Sequence, residues 1–181
     1  MPSKPAPLVR SFPPIARRDA RVLILGTAPG IQSLTRRQFY GHPQNAFWRI
    51  MGELFDAGLE VPYAQRKRRL TARGIAVWDV LEECQRHGSM DHAIERESVQ
   101  VNDFRAFFAR HRRITRVFFN GHAAETLFRR HVWQSLDQRE LSLVFTRLPS
   151  TSPAHAGRSF AEKLAAWRVI AEEMSDVRCK K

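Results

Sequence analysis

Cysteine is scarce in this chain, with only Cys84 and Cys179, placed far apart. Two thiols cannot build a four-cysteine iron–sulfur cluster or an all-cysteine zinc site within one chain, and both are expected to be free. No apolar run approaches the roughly 20 residues of a spanning helix. The opening residues, MPSKPAPLVRSF, also lack the apolar centre of a signal peptide. The expected compartment is therefore the cytoplasm, nucleoid-associated if bacterial, with no membrane partner. Acidic residues are short as well: 18 Asp+Glu stand against 30 Lys+Arg, a formal charge of +12. That excess asks for a polyanionic partner, and nucleic acid is favoured over membrane.

Several signature loops are missing too. The glycines after the first apolar run neither end in the Lys-Ser/Thr of a phosphate loop nor form G-x-G-x-x-G, so ATP and dinucleotides are poor expectations. The G-x-S-x-G elbow is absent. A serine nucleophile is thus disfavoured, although Ser150 and Ser152 stand near His155 in sequence. Neither a metal nor a cofactor is expected.

What is present suits one globular domain: 181 residues, 43% of them hydrophobic. Five of the ten prolines fall in residues 2 to 14, which marks residues 1–18 as an extended Pro-rich basic arm, either a packing strap or a loose lead. Residues 19–176 form the expected domain and residues 177–181 a basic tail. Apolar runs at Val22–Leu25, Ile75–Asp79, Ile114–Phe119 and Leu143–Leu148 read as strands. Helical spacing predicts helices over Ala46–Phe55, ended by Gly58, over Pro62–Arg73, over Asp103–Arg110 capped by Asn102, and over His122–Arg130. A capping box at Ser159 and Glu162 opens a last helix, Phe160–Met174. Residues 82 to 100 are polar and weakly patterned.

Strands alternating with helices imply a mostly parallel four-stranded sheet covered on both faces, an α/β architecture. Parallel connections bring the carboxyl ends of the strands to one edge, where open α/β sheets bind ligands. Ala28, Pro29, Tyr40, His42, Asn45, Asp79, Asn120, Gly121, Ser150, Ser152 and His155 would meet there. Amides and hydroxyls at such an edge suit recognition of a base edge, positioning of a water and contacts to phosphate.

Those residues also carry a resemblance. G-T-A-P-G at 26–30, F-Y-G-H-P-Q-N-A-F-W-R-I at 39–50, N-G-H-A at 120–123 and L-P-S-T-S-P-A at 148–154 resemble the uracil-DNA glycosylase superfamily. The chain looks most like its hypoxanthine-DNA glycosylase branch, with the mismatch-specific uracil/thymine-DNA glycosylases as cousins. The resemblance implies a three-layer α/β/α sandwich. It also implies a monomeric, monofunctional enzyme that hydrolyses the N-glycosidic bond of a deaminated base flipped out of double-stranded DNA, leaving an abasic site. Hypoxanthine is the first expected base, with uracil, xanthine or a mismatched base as further candidates.

By the same resemblance Asn45 and His155 are the catalytic candidates, and Gly26, Ala28, Pro29, Gly30, Tyr40 and Asn120 the base-binding ones. Arg36, Arg37, His42, Ser150, Thr151 and Ser152 are the candidates for the DNA backbone. One departure stands out: the cousins carry a catalytic asparagine where this chain has Ala28, which moves the expected chemistry to Asn45. The alternative is a basic DNA- or RNA-binding protein of the same fold with weak or no chemistry.

Overall fold

The structure, a computed structural model, describes residues 6–176. The basic tail and the first five residues of the arm lie outside the described residues. In chain order the elements are β1 (Leu8–Arg10), β2 (Val22–Gly26), α1 (Ile31–Arg36), α2 (Phe47–Phe55), α3 (Tyr63–Ala72), β3 (Ile75–Asp79), β4 (Leu81–Gln85) and β5 (Gln100–Val101). There follow α4 (Phe104–Arg110), β6 (Arg116–Asn120), α5 (His122–His131), α6 (Gln138–Leu141), β7 (Val144–Leu148), α7 (Phe160–Trp167) and α8 (Val169–Asp176).

The four expected strands form one parallel sheet in the order β3-β2-β6-β7. β2 and β3 are buried at every position, so both faces of this half of the sheet are covered. Continuous apolar runs such as VLIL have this origin, because a strand covered on both faces has no solvent side to alternate toward. The chain leaves β2 for β3 on one side and returns to β6 on the other. The strand order therefore reverses between β2 and β6, and a crevice opens at their carboxyl ends.

Aromatic side chains fill much of the core: Phe47, Trp48, Phe104, Phe108, Phe118, Phe119, Phe128 and Trp167 are all buried. Each such burial is worth about 1.5–3 kcal/mol.

The arm is a packing strap. Ile15 exchanges both backbone hydrogen bonds with Val77 of β3, at 2.9 and 2.8 Å, and the Trp78 indole N–H donates to the Phe12 carbonyl at 3.1 Å. β1 pairs antiparallel with β4, and β4 with β5, in a second small sheet. That sheet occupies the stretch whose pattern was too weak to read. Only Leu81 and Cys84 of β4 are buried, a spacing that no alternation rule detects.

Three helix boundaries differ from expectation. α2 ends at Asp56, which takes the left-handed conformation (φ 56°), and not at Gly58. The closing helix breaks at Arg168 into α7 and α8, while its Ser159–Glu162 capping box forms as expected. At α4 the cap is Asp103, whose carboxylate accepts the Ala106 N–H at 2.9 Å. Asn102 instead donates its amide to the Asp79 carbonyl at 2.8 Å, so it holds the end of β3.

These two neighbours should separate by their cost. Asp103→Ala is expected to lose about 1 kcal/mol as a missing cap. Asn102→Ala is expected to lose about 1–3 kcal/mol, because it leaves a buried carbonyl without a donor. Urea unfolding of the two variants checks the order.

Candidate active site

At the crevice lies a cavity of about 330 Å³. Gly26, Ala28, Pro29, Gly30, Tyr40, His42, Asn45, Asn120, Ser150, Thr151 and Ser152 line it, as does Asp79. His155 is exposed and lies outside the lining, and so do Gly121 and the exposed Arg36 and Arg37 at the far end of α1. No hydrogen bond joins the His155 ring to Ser150 or Ser152, whose hydroxyls accept the N–H groups of Ser152 and Ala154 at 3.2 Å each. A serine–histidine pair is therefore not assembled.

The floor of the cavity is built over Gly26, the last residue of β2. A Cβ there would stand 2.6 Å from Asp79 Oδ1 and 2.9 Å from the Tyr40 hydroxyl, so only glycine lets the two oxygens converge. Asp79 is 3% exposed, and its Oδ2 accepts the Ser11 hydroxyl at 3.0 Å. Burial pushes its carboxyl up to about 7; the Ser11 bond opposes the rise, Asp91 adds to it and Arg86 opposes it.

Tyr40 stacks on Phe47 with ring centroids 4.0 Å apart. Its backbone is left-handed (φ 53°), a strain of about 1–3 kcal/mol in a bulky residue, which the stack helps to hold. The hydroxyl is buried without a hydrogen-bond partner. Burial and Asp79 push the phenol up, and the Asn120 amide opposes them. Phe39, its neighbour, is the fully packed member of the pair.

Asn45 stands at the entry to α2. The Phe47 N–H donates to its Oδ1 at 2.9 Å, so the side chain is oriented by the helix it precedes. That bond commits the carbonyl end and leaves Nδ2, a donor, for the cavity. His42 accepts the Gln44 N–H on Nδ1 at 3.1 Å, which fixes its ring at the mouth.

Asn120 lines the cavity, and both ends of its amide are engaged. Its Nδ2 donates to Thr151 Oγ1 at 2.8 Å, and its Oδ1 accepts the Thr151 N–H at 2.8 Å. Both ends of the amide thus clamp the loop after β7 to the end of β6. The Thr151 carbonyl in turn accepts the Ala46 N–H at 3.0 Å, ahead of α2. From behind, Trp167 donates to the Pro149 carbonyl at 3.0 Å and Lys163 to the Ser152 carbonyl at 3.4 Å. Thr151 is 1% exposed and belongs to the frame of the site, where a phosphate contact had been expected. Gly121 (φ 96°) lets the two loops touch, since a Cβ would come within 2.8 Å of Ser150 Cβ.

One wall went unread in the sequence: Ser89, Met90 and Asp91 line the cavity from the segment after β4. Asp91 accepts the Thr27 hydroxyl at 3.2 Å and pairs at 3.5 Å with Arg86. Arg86, 1% exposed, donates to the Pro29 carbonyl at 2.5 Å. The turn Thr27–Pro29 is therefore gripped at both ends. The Arg-His-Gly-Ser-Met-Asp run carries no motif that announces this; its only signal was Gly88 as a turn.

Among the described residues no group of three or more histidines, cysteines or carboxylates gathers as a metal site, and no lysine lines the cavity. No described helix is long and apolar enough to cross a membrane.

A cavity at the switch point of a parallel sheet, in a chain of charge +12, marks an α/β protein with a ligand site at its strand ends and a surface suited to a polyanion. Comparison with known proteins narrows the class. Residues 13–171 match the family described as Uracil DNA glycosylase superfamily. A hypoxanthine DNA glycosylase of Methanosarcina barkeri is 34% identical over 113 residues, 62% of this chain and 70% of that one. Another, of Methanosarcina acetivorans, is 33% identical over 116 residues, 64% and 72% of the two chains. A solution NMR structure from Methanosarcina acetivorans, described only provisionally as a uracil DNA glycosylase, superposes with a TM-score of 0.74 at 28% identity, covering 93% of this chain and 99% of that one. The chain belongs to the uracil DNA glycosylase superfamily. It is a DNA glycosylase, a hydrolase of N-glycosyl bonds.

Asp79 makes the fold pH-sensitive in a direction opposite to a salt-bridged carboxylate. Folded, it keeps its proton to about pH 7, whereas an ordinary aspartate loses it near 3.8. Between those values the folded state binds more protons, so this residue's contribution to stability falls as pH rises. Asp79→Asn cannot ionise and should gain on the wild type from pH 5 to pH 8, by up to a few kcal/mol. Urea unfolding of both proteins at about those two pH values, chosen to bracket the window, checks it; a constant difference would place the ionisation elsewhere.

Proposed function

We propose that this glycosylase removes deaminated bases from double-stranded DNA, hypoxanthine first, with uracil and xanthine as further substrates. The observation that carries the reading is the cavity floor, where the unpartnered Tyr40 hydroxyl and the Asp79 carboxyl face one point above Gly26. Deamination of adenine replaces an amino donor and a ring acceptor by a carbonyl acceptor and a ring N–H. A hydroxyl that donates to the new carbonyl and a carboxyl oxygen that accepts the new ring N–H complement that edge. The names of the two Methanosarcina relatives point to the same base.

In this reading the basic surface binds the duplex, the weakly paired base leaves the stack, and its edge meets the Tyr40 hydroxyl at the cavity floor. The backbone of Gly26, Ala28, Pro29 and Gly30 borders it. The bond breaks through an oxocarbenium-like state, so water needs positioning more than activation. Asn45 donates from Nδ2 to hold that water, in place of the amide absent at Ala28. The enzyme stays monofunctional, since no lysine stands at the cavity to form a Schiff base. His155, exposed beyond the rim, acts on the DNA strand near the leaving base, together with His42, Ser150 and Ser152. Arg36 and Arg37 take phosphates farther out.

The test is a duplex with one deoxyinosine, treated with alkali after incubation, beside duplexes carrying deoxyuridine or deoxyxanthosine. Strand breakage at deoxyinosine is expected. Asn45→Ala removes the Nδ2 donor and should slow single-turnover excision about 100-fold or more. Intact strands at high enzyme concentration, with binding retained, would favour a DNA-binding protein without chemistry.

The phosphate contacts have their own measurement. Affinity for undamaged duplex should fall by orders of magnitude between about 50 and 200 mM salt, and replacing Arg36 and Arg37 by alanine should lower the slope of log affinity against log salt by about 2.

A further inference from the structure

The left-handed turn at Tyr40 is held on both sides by side chains. Before it, the Phe39 N–H donates to the Tyr63 hydroxyl at 3.1 Å, and the Phe39 carbonyl accepts the Trp48 indole N–H at 2.7 Å. After it, the Gly41 N–H donates to Ser33 Oγ at 2.9 Å in a buried bond. Gly41 lies so close to α1 that a Cβ there would stand 3.0 Å from Ser33 Cα and 3.1 Å from the Gln32 carbonyl oxygen.

The three partners come from three helices: Ser33 from α1, Trp48 from α2 and Tyr63 from α3. Tyr63 is outside the cavity lining, so it is not placed to touch a base. Its ring stands edge-on to Trp48, with centroids 5.6 Å apart, and the cationic groups of Arg66 and Lys67 lie 5.3 and 5.1 Å from its centroid. That packing fixes the direction of the hydroxyl, which meets the Phe39 N–H.

A left-handed φ in a bulky residue persists only where the surroundings over-determine it. The stack on Phe47 fixes the Tyr40 ring, and the bonds at residues 39 and 41 fix the backbone that carries it. The phenol oxygen is at the far end of the side chain, so a small backbone rotation is magnified there. A misplacement of about 1 Å can cost about 100-fold in rate.

We propose that Tyr63 is a positioning residue for the glycosylase reaction. Its hydroxyl, with Ser33 on the far side of the turn, holds the backbone of Tyr40 and thereby the place of the Tyr40 hydroxyl above Gly26. This rests on the reading of the Tyr40 hydroxyl as a contact to the base.

Tyr63→Phe keeps the ring and removes only the acceptor. Single-turnover excision of deoxyinosine from a duplex should slow about tenfold or more, with affinity for that duplex within about threefold of wild type. In a Tyr40→Phe background there is no hydroxyl to place, and the same change should slow excision less than about twofold further. Ser33→Ala is a second variant for which the same pattern is expected. Asp103→Ala, which removes a helix cap away from the cavity, should lower stability and leave the rate near wild type. The chain has two tyrosines, so Tyr63→Phe leaves Tyr40 as the sole source of tyrosine ring signals in NMR spectra. In the wild type those signals carry the ring-current shift of Phe47, 4.0 Å away, and are assigned by their loss in Tyr40→Phe; in Tyr63→Phe they should move. An undiminished rate in Tyr63→Phe, full additivity in the Tyr40→Phe background, an equal loss in Asp103→Ala, or unmoved Tyr40 signals would each overturn the assignment. Wild-type protein that leaves deoxyinosine intact would overturn the proposed function instead, and the ring signals then decide the role of Tyr63 alone.

Discussion

The backbone N–H and side-chain oxygen of Thr151 are bonded to the Asn120 amide at the end of β6, and its carbonyl accepts the Ala46 N–H ahead of α2. One residue thereby sets the distance between the loops after β6 and β7 and the start of the helix that carries Asn45. Each of these bonds is individually modest, about 0.5–1.5 kcal/mol net, but leaving any buried member unpaired costs more than the bond contributes. The arrangement is therefore kept whole or lost whole. It explains why Asn120, placed where a ligand contact would be useful, is used to brace the cavity.

The floor of the cavity follows the opposite logic. There the polar groups are left incomplete: a phenol without a partner and a carboxyl kept near neutrality by burial. Such groups are costly in a resting protein and are retained where a ligand completes them. The braced rim and the incomplete floor meet at the turn that Arg86 and Asp91 grip.

The parallel sheet and most of the cavity were legible in the sequence because their signals are local. Four continuous apolar runs mark strands covered on both faces, and a polar loop after each marks the ligand edge. Tyr40 and Asn45 were placed correctly at the cavity on these grounds, whereas the roles of Asn120 and Thr151 depend on a contact 31 positions apart that spacing cannot display. The 86–91 wall was illegible for a related reason. Its residues act through hydrogen bonds and a buried guanidinium rather than through an apolar period, so no pattern distinguishes them from a solvated loop. His155, grouped with the cavity in the sequence, stands exposed and outside its lining.

The two edges of the parallel sheet are closed by different means. β7 is a short edge strand whose Arg147 is held by His122 and Glu125, a charged border that discourages further pairing. β3 has no such border; its outer ladder is covered by Ile15 of the arm through two backbone bonds. A chain beginning after that arm would present β3 as an open, wholly apolar edge ending in Asp79. An uncovered edge of that kind is a template for pairing with another strand, and the Ile15 bridge occupies it from within the chain.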